Sequence, residues 1–336
     1  MINVGIDASG GDNGSIPVCK AIASEINKNL NIKYFIFGDT DEINNSFKEV
    51  SFDISNDRIV IVDAKEKITM NDHPVFAIRS KKNSSIVKAG NALIDNEIDC
   101  FISAGNTGAL VALAQFFLKP INGVDRPVVA AIIPTKNGMM LLIDSGCNVD
   151  SKPEWLYQYA KLANQYYKLM FNKESPKIGL LSVGVEPNKG NALTLETYKL
   201  LENNKNLNFI GNVEARDLVL GICDILITDG FAGNVFLKTY EGTATFILNL
   251  LKEEIMSSFV SKIGGLLIKP GLKKILNKYN AKIYGGAPIL GTKKLVLKCH
   301  GNSTSEEYIY TIRQAYNLIC NDIINKLIEG VKNESR

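Results

Sequence analysis

Ser103-Ala104-Gly105-Asn106-Thr107-Gly108 stands between a short apolar run that begins at Cys100 and an apolar stretch that continues to Leu118. A strand that ends in small residues and restarts as a helix leaves backbone N–H groups unpaired at the positive end of the helix dipole. Such a place favours an anion, phosphate included. Four other loops have similar composition: Asp7-Ala8-Ser9-Gly10-Gly11-Asp12, Gly184 to Asn191, Asp229-Gly230-Phe231-Ala232-Gly233-Asn234 and Tyr284-Gly285-Gly286-Ala287-Pro288. Their recurrence predicts one shared polar crevice.

Side chains in and beside these loops add chemistry. Lys189 follows a strand-like run and could hold a phosphate as a point charge, or could be a solvated loop lysine. Asp229 closes the apolar run from Asp224, where its carboxylate could orient a substrate, cap the next helix, or do both. His300, before the last helical pattern, could move a proton near neutral pH or be structural. Cys147 invites reading as a nucleophile, but nothing beside it supplies a base. No GxGxxG follows a strand, Gly286 to Lys293 lacks the order of a phosphate-binding P-loop, and no GxSxG is present. Nicotinamide, ATP and serine-hydrolase chemistry therefore have no motif behind them.

The elements that must position these residues alternate. Strand patterns near 2–6, 33–37, 58–62, 99–103, 128–133, 139–143, 177–182 and 224–228 interleave with helical patterns near 16–28, 83–96, 106–118, 151–171, 190–202 and 304–330. This predicts an α/β fold with a mainly parallel sheet and helices on both faces, its ligands beyond the carboxyl ends of the strands. Residues 1–331 read as a single domain of one or two lobes, with 332–336 as a tail.

With 336 residues, 46% of them hydrophobic, the chain can bury a large core. Its 38 basic and 35 acidic residues leave +3, so no global field or motif points to nucleic acid. The six cysteines have neither CxxC nor zinc-ligand spacing, which fits reduced thiols in a cytosolic protein and no bound metal. The strand-like opening from Met1 to Asp7 predicts no export signal. Cys100 to Leu118 is uncharged, but its glycines, Asn106 and Gln115 make it core rather than a membrane span.

Residues 246–279 differ from the rest. They are crowded with apolar side chains, and beyond Ile255 they carry Lys262, Lys269, Lys273, Lys274 and Lys278 without an acidic residue. This predicts a protruding helical hairpin, broken at Gly264-Gly265 and Pro270-Gly271. It would face an anionic membrane through residues such as Phe259, Lys262, Ile263, Leu266, Leu267 and Lys269, or pack on the core or on a second subunit.

Nine blocks in order span nearly the whole chain: DASGGD at 7–12, SSIVKAG at 84–90, SAGNTGAL at 103–110, GVDRP at 123–127, PKIGLLSVGVEPNKGN at 176–191, FIGNVEARD at 209–217, DGFAGNVFLKTYEG at 229–242, YGGAPILG at 284–291 and HGNS at 300–303. Together they closely resemble the phosphate acyltransferase (PlsX) family. The resemblance implies reversible transfer of a long fatty acyl group from acyl carrier protein to orthophosphate, without a cofactor. The acyl phosphate would serve a glycerol-3-phosphate acyltransferase in phospholipid synthesis. It also implies a fold similar to isocitrate and isopropylmalate dehydrogenases and phosphotransacetylase, a homodimer, and a cytoplasmic protein held peripherally at the membrane.

Three positions depart from the family pattern. Ser9 stands where methionine is usual, and Val185 precedes Glu186 where a second glutamate is usual. Cys147 stands where alanine is common, which removes it as a nucleophile.

With loop chemistry, the resemblance assigns Lys189, Asp229, Asn106 and His300 to catalysis. Ser103, Gly105, Thr107, Gly108, Asn234, Gly230, Asp7, Gly10 and Gly11 are assigned to phosphate and substrate binding. An acidic carrier protein would dock on basic residues, with Arg79, Lys81, Lys82 and Arg126 as candidates. Two rival readings are a short-chain phosphotransacetylase acting on acyl-CoA and a carrier-protein or membrane scaffold without turnover.

Overall fold

The computed structural model describes residues 1–28 and 31–333. Its strands are β1 (Ile2–Asp7), β2 (Ile32–Gly38), β3 (Ile59–Asp63), β4 (Cys100–Ser103), β5 (Val128–Thr135), β6 (Gly138–Ile143), β7 (Ile178–Leu181), β8 (Phe209–Val213), β9 (Ile225–Ile227), β10 (Ala287–Leu290) and β11 (Leu295–Lys298). The helices are α1 (Ile16–Glu25), α2 (Thr40–Glu49), α3 (Pro74–Ser80), α4 (Ser85–Ile94), α5 (Thr107–Leu113, continued by a π turn over Ala114–Leu118), α6 (Pro153–Phe171), α7 (Ala192–Asn203), α8 (Ala215–Leu218), α9 (Gly230–Ser257), α10 (Phe259–Lys278), α11 (Ser305–Cys320) and α12 (Ile323–Asn333).

All strands join one sheet in the order β3-β2-β1-β4-β11-β10-β5-β6-β9-β7-β8. β3, β2, β1, β4 and β11 are mutually parallel, as are β6, β9, β7 and β8. Between these halves, the pairings β11·β10, β10·β5 and β5·β6 are antiparallel. Three reversals are an odd number, so the two parallel halves run in opposite directions. Their carboxyl ends lie at opposite ends of the sheet.

Side chains alternate between sheet faces, and this alternation sorts the core. One face carries a continuous cluster in which Ile6, Ile102, Leu141 and Ile227 meet residues of α1, α6, α11 and α12. The other face carries two separate clusters. Phe101, Val129, Ile289 and Val296 pack with Ala109, Leu110 and Leu113 of α5, while Ile133, Met140, Leu142 and Leu226 pack with Phe236 and Tyr240 of α9. Helices α5 and α9 thus flank the boundary between these clusters, along β10 and β5.

The predicted α/β class with a mainly parallel sheet is the fold observed, and every predicted strand is present. The pattern missed β8 and the short β10 and β11, and it missed α2, α3 and the short α8. The single helix expected over 304–330 is two, because Asp322 takes a left-handed conformation (φ 51°) between α11 and α12. The hairpin over 246–279 turns at Ser258, whose extended backbone and side chain cap α10 by accepting from Ser261 N, and α10 runs unbroken through Gly264, Gly265 and Pro270. Of the expected tail, Lys332 and Asn333 belong to α12, and 334–336 lie outside the described residues. No described helix is long and apolar enough to cross a membrane.

Candidate functional site

The glycine-bearing loops fall into two groups, and Cys147 of the second packs on the core cluster that contains α5. The first group gathers at the carboxyl ends of β1, β4 and β11. Asp7 closes β1 fully buried; its Oδ2 accepts from Ser103 Oγ at 2.6 Å and its Oδ1 from Ser9 N at 2.9 Å. Burial pushes the Asp7 pKa up, and these donors oppose the shift. Ser103 Oγ in turn accepts from Gly105 N at 3.0 Å. Gly10 lies so close that a methyl group there would stand 2.3 Å from Asp7 Oδ2 and 2.6 Å from Gly105 N. Gly11 faces the carbonyl of Gly301, which accepts from Asp12 N at 2.7 Å and ties the His300 loop to the β1 loop.

Asn106 caps α5: its Oδ1 accepts from Ala109 N at 3.0 Å, and its Nδ2 donates to Thr69 O at 3.0 Å. Both ends of the amide are therefore committed, and the side chain aims the helix start. The N–H groups of Thr107 and Gly108 meet no acceptor among the described residues and open on the first turn. Gly108 stays close to Pro74, where a side chain would collide at 2.6 Å.

The second group gathers at the carboxyl ends of β6, β9 and β7. Asp144, fully buried, accepts from Gly146 N, Cys147 N, Asn148 N and Asn148 Nδ2 at 2.7–3.0 Å. Desolvation raises its pKa against these four bonds. The Cys147 thiol is pushed well above its ordinary value by burial and by Asp144, so it is no thiolate nucleophile.

Asp229 caps α9 through Ala232 N at 2.8 Å. Gly230 N donates to Asn148 O at 2.9 Å, and Asn234 Nδ2 donates to Ser145 O at 3.2 Å. Lys189 belongs here as well, on the exposed loop after β7, where its carbonyl accepts from Ser182 Oγ. No contact joins Lys189 to the start of α5 among the described residues.

Helix α9 links the groups. Asn234 and Glu241 are two turns apart on one face, about 10 Å along the axis. Glu241 Oε1 lies 3.9 Å from His300 Nε2, and its Oε2 lies 3.6 Å from Lys238 Nζ. Loss of hydration is the main cause of a His300 pKa below the usual histidine value; Glu241 opposes it, and Lys298 and Lys238 reinforce it. The imidazole still keeps 61% of its side-chain surface exposed, so solvent screens these charges.

Of the basic docking candidates, Arg79 is exposed and lies over the Phe116 ring at 5.5 Å. Lys81 is paired with Asp72 at 2.7 Å, whereas Lys82 is exposed. Arg126 stacks over Trp155 at the start of β5, at the other end of the sheet from α5's first turn. The hairpin residues Phe259, Val260, Leu266 and Leu267 are all highly exposed, and no residue of α10 is buried.

The sequence reading missed Asp144, Lys238, Glu241 and Lys298. For Asp144 and Lys298 a signal existed: each is a charged residue closing or directly following an apolar strand run. Glu241 and Lys238 matter only through the face that α9 presents. Among the described residues no group of His, Cys, Asp and Glu forms a metal cluster.

The sequence matches a family described as fatty acid synthesis protein over residues 2–326. A phosphate acyltransferase from Clostridium perfringens is 42% identical over 334 residues, 99% of this chain and 98% of that protein. One from Clostridium botulinum is 43% identical over 327 residues, covering 97% and 98%. Among solved structures, a phosphotransacetylase from Streptococcus pyogenes superposes with a TM-score of 0.62 at 15% identity, covering 96% of this chain and 94% of its own. A 4-hydroxythreonine-4-phosphate dehydrogenase from Klebsiella pneumoniae does so at 0.52 and 10% identity, covering 94% and 98%. At such identities the two structures share the fold, a dehydrogenase-like one.

Proposed function

Because the chain belongs to the fatty acid synthesis protein family, with phosphate acyltransferases among its full-length relatives, we propose that it transfers a long-chain fatty acyl group from acyl carrier protein to orthophosphate. The observation that carries this reading is the first turn of α5, whose two unpaired N–H groups open beside the carboxyl ends of β4, β1 and β11. An anion fits there without any enzyme nucleophile. A phosphate oxygen attacks the thioester carbonyl carbon, the C–S bond breaks, and the thiolate leaves to take up a proton. The protein's work is to orient the phosphate within about 3–3.5 Å of that carbon and to stabilise the oxyanion.

Gly105, Thr107 and Gly108 contact the phosphate; Asp7, Ser103, Gly10, Gly11 and Asn106 fix the loop that presents it. Asp229 and Gly230 set the start of α9, while Asn234 and Lys189, at the opposite carboxyl ends, serve the thioester and its carrier arm. The exposed Val183 and Val185 beside Lys189 offer that arm apolar contact. His300 is neutral near pH 7, so it accepts a proton from phosphate rather than supplying one to the thiolate.

The lowered His300 pKa has a defined sign. Neutral imidazole persists until the pH falls below the usual histidine value of 6.5, and only then does proton acceptance stop. At saturating phosphate, wild-type turnover is expected to show an acid limb below that value. His300→Asn should remove the limb and slow turnover by roughly 100-fold. An unchanged pH profile in the variant would take His300 out of proton transfer.

The acidic carrier protein docks on the α3 side through Arg79 and Lys82, with Lys81 and Arg126 held in their own contacts. Hairpin α9–α10 forms the homodimer and rests on the cytoplasmic membrane surface, from which acyl phosphate passes to a glycerol-3-phosphate acyltransferase. Leu266→Glu is expected to abolish co-sedimentation with anionic vesicles while turnover in solution persists; full retention on vesicles would remove the hairpin as the membrane contact.

The reading is tested with palmitoyl-acyl carrier protein, with and without orthophosphate, following free thiol and trapping acyl phosphate with hydroxylamine. Phosphate-dependent thiol release with a trapped acyl group is expected. Thiol release without phosphate would indicate a thioesterase, and binding without release a scaffold. Faster turnover of acetyl-CoA would indicate a short-chain phosphotransacetylase.

A further inference from the structure

Lys298 closes β11, directly beside Ser103 of β4 in the parallel register. Alternation along β11 places it on the same sheet face as Val296, which packs in the cluster that contains Ala109 and Leu110 of α5. Leu297, between them, points to the opposite face and joins the other core. Lys298 therefore rises from the strand next to the one that leads into α5, on the helix's own side. The residue is largely enclosed, and its ammonium donates to the carbonyl of its neighbour Cys299.

A largely enclosed lysine is normally paired with a carboxylate. Among the described residues, no Asp or Glu lies within ion-pair distance of Lys298. Of the carboxylates that act on its charge, Asp12 lies exposed beside Gly301, and Asp7, which acts more weakly, is engaged by Ser103 and Ser9. Lys238 of α9, which lies 3.6 Å from Glu241 Oε2, repels protonated Lys298 less than Asp12 attracts it, and protonated His300 less than Glu241 attracts it. Desolvation holds the Lys298 pKa below the usual lysine value, against the opposing pull of Cys299, Asp12 and Asp7. An ammonium without an ion pair, on the sheet face that α5 covers and beside the strand that leads into its unpaired N–H groups, makes an arrangement that an anion completes.

We propose that Lys298 is the charged group that holds orthophosphate over the first turn of α5. This rests on the phosphate acyl-transfer reading and deepens it. Lys189, the lysine that the sequence favours for the role, sits exposed at the opposite carboxyl ends. An ammonium is a suitable holder: it places up to three donors around one charge, and shared with backbone N–H groups it leaves the attacking phosphate oxygen free.

The test uses the purified full chain with two readouts. The first is thermal stabilisation by inorganic phosphate in the absence of any acyl donor; the second is the phosphate KM with palmitoyl-acyl carrier protein. Lys298→Met is expected to remove the phosphate-induced rise in Tm and to raise the phosphate KM by about 30-fold or more, while the acyl-donor KM moves less than about threefold. Lys298→Arg, which keeps the charge, should recover part of both, and Lys189→Met should leave phosphate stabilisation intact.

The proposal is overturned if Lys298→Met keeps wild-type stabilisation by phosphate, or if Lys189→Met alone loses it. Phosphate stabilisation that depends on Lys298, in a protein without phosphate-dependent acyl transfer, would support this site and defeat the proposed reaction. The two failures are thus separable.

Discussion

Gly233→Ala is expected to destabilise the protein by roughly 3 kcal/mol and to abolish most phosphate-dependent turnover, because overpacking against fixed backbone has no soft way to relax. A methyl group at this position would stand 1.9 Å from the carbonyl oxygen of Asp144 and 2.9 Å from a Thr228 methyl. The first of these neighbours is backbone, in a loop pinned by the buried Asp144 side chain, so α9 must move instead. Moving α9 displaces Asn234 from Ser145 and Glu241 from His300, which couples the packing defect to the site.

Gly242→Ala, nine residues later in the same helix, is the control. Nothing lies within 4 Å of its added methyl, and helix propensity predicts a gain of up to about 1 kcal/mol. Thermal melts of both variants decide the matter. A Gly233→Ala midpoint within about 2 °C of wild type would mean that α9 does not depend on this close approach.

Asp144→Ala is the second large effect. The substitution strips acceptors from three backbone N–H groups and one amide in a half-buried loop. At about 1–3 kcal/mol for each unsatisfied buried group, and with some bonds regained by rearrangement, a loss of roughly 4 kcal/mol is expected. Asp144→Asn keeps one acceptor oxygen for Gly146 and Cys147 but turns an NH2 toward Asn148 N, so it should fall between wild type and alanine. The two variants are compared by urea unfolding and by the KM for acyl donor, since this loop supports the α9 end of the crevice. If alanine and asparagine unfold at the same urea concentration as wild type, the buried carboxylate does not organise the loop.

Local features of both groups are legible in the residues. Asn106 and Asp229 each end an apolar strand pattern, stand before a small-residue turn, and cap the helix that follows. A polar oxygen three residues ahead of an N–H needs no distant partner, so such caps are written in local order. The same holds for the strands found by their apolar runs. The pattern also yields the wrong point for the hairpin turn: glycines and a proline at 264–271 suggest breaks, yet the helix persists there and the better cap at Ser258 takes the turn.

By itself, the sequence determined the fold class, the glycine-bearing strand ends and membership of an acyltransferase family, because these follow from short-range periodicity and from blocks readable in order. Only the tertiary structure decided how the loops divide. Three antiparallel pairings in the middle of the sheet reverse one parallel half relative to the other, and these pairings join segments as distant as β5 and β10, more than 150 residues apart. That reversal puts Lys189 after a strand of one half and Lys298 at the carboxyl end of a strand of the other, beside Ser103. Whether a lysine is a solvated charge or an enclosed one depends on which strand lies next to it and which face it takes, and neither is encoded in its immediate neighbours.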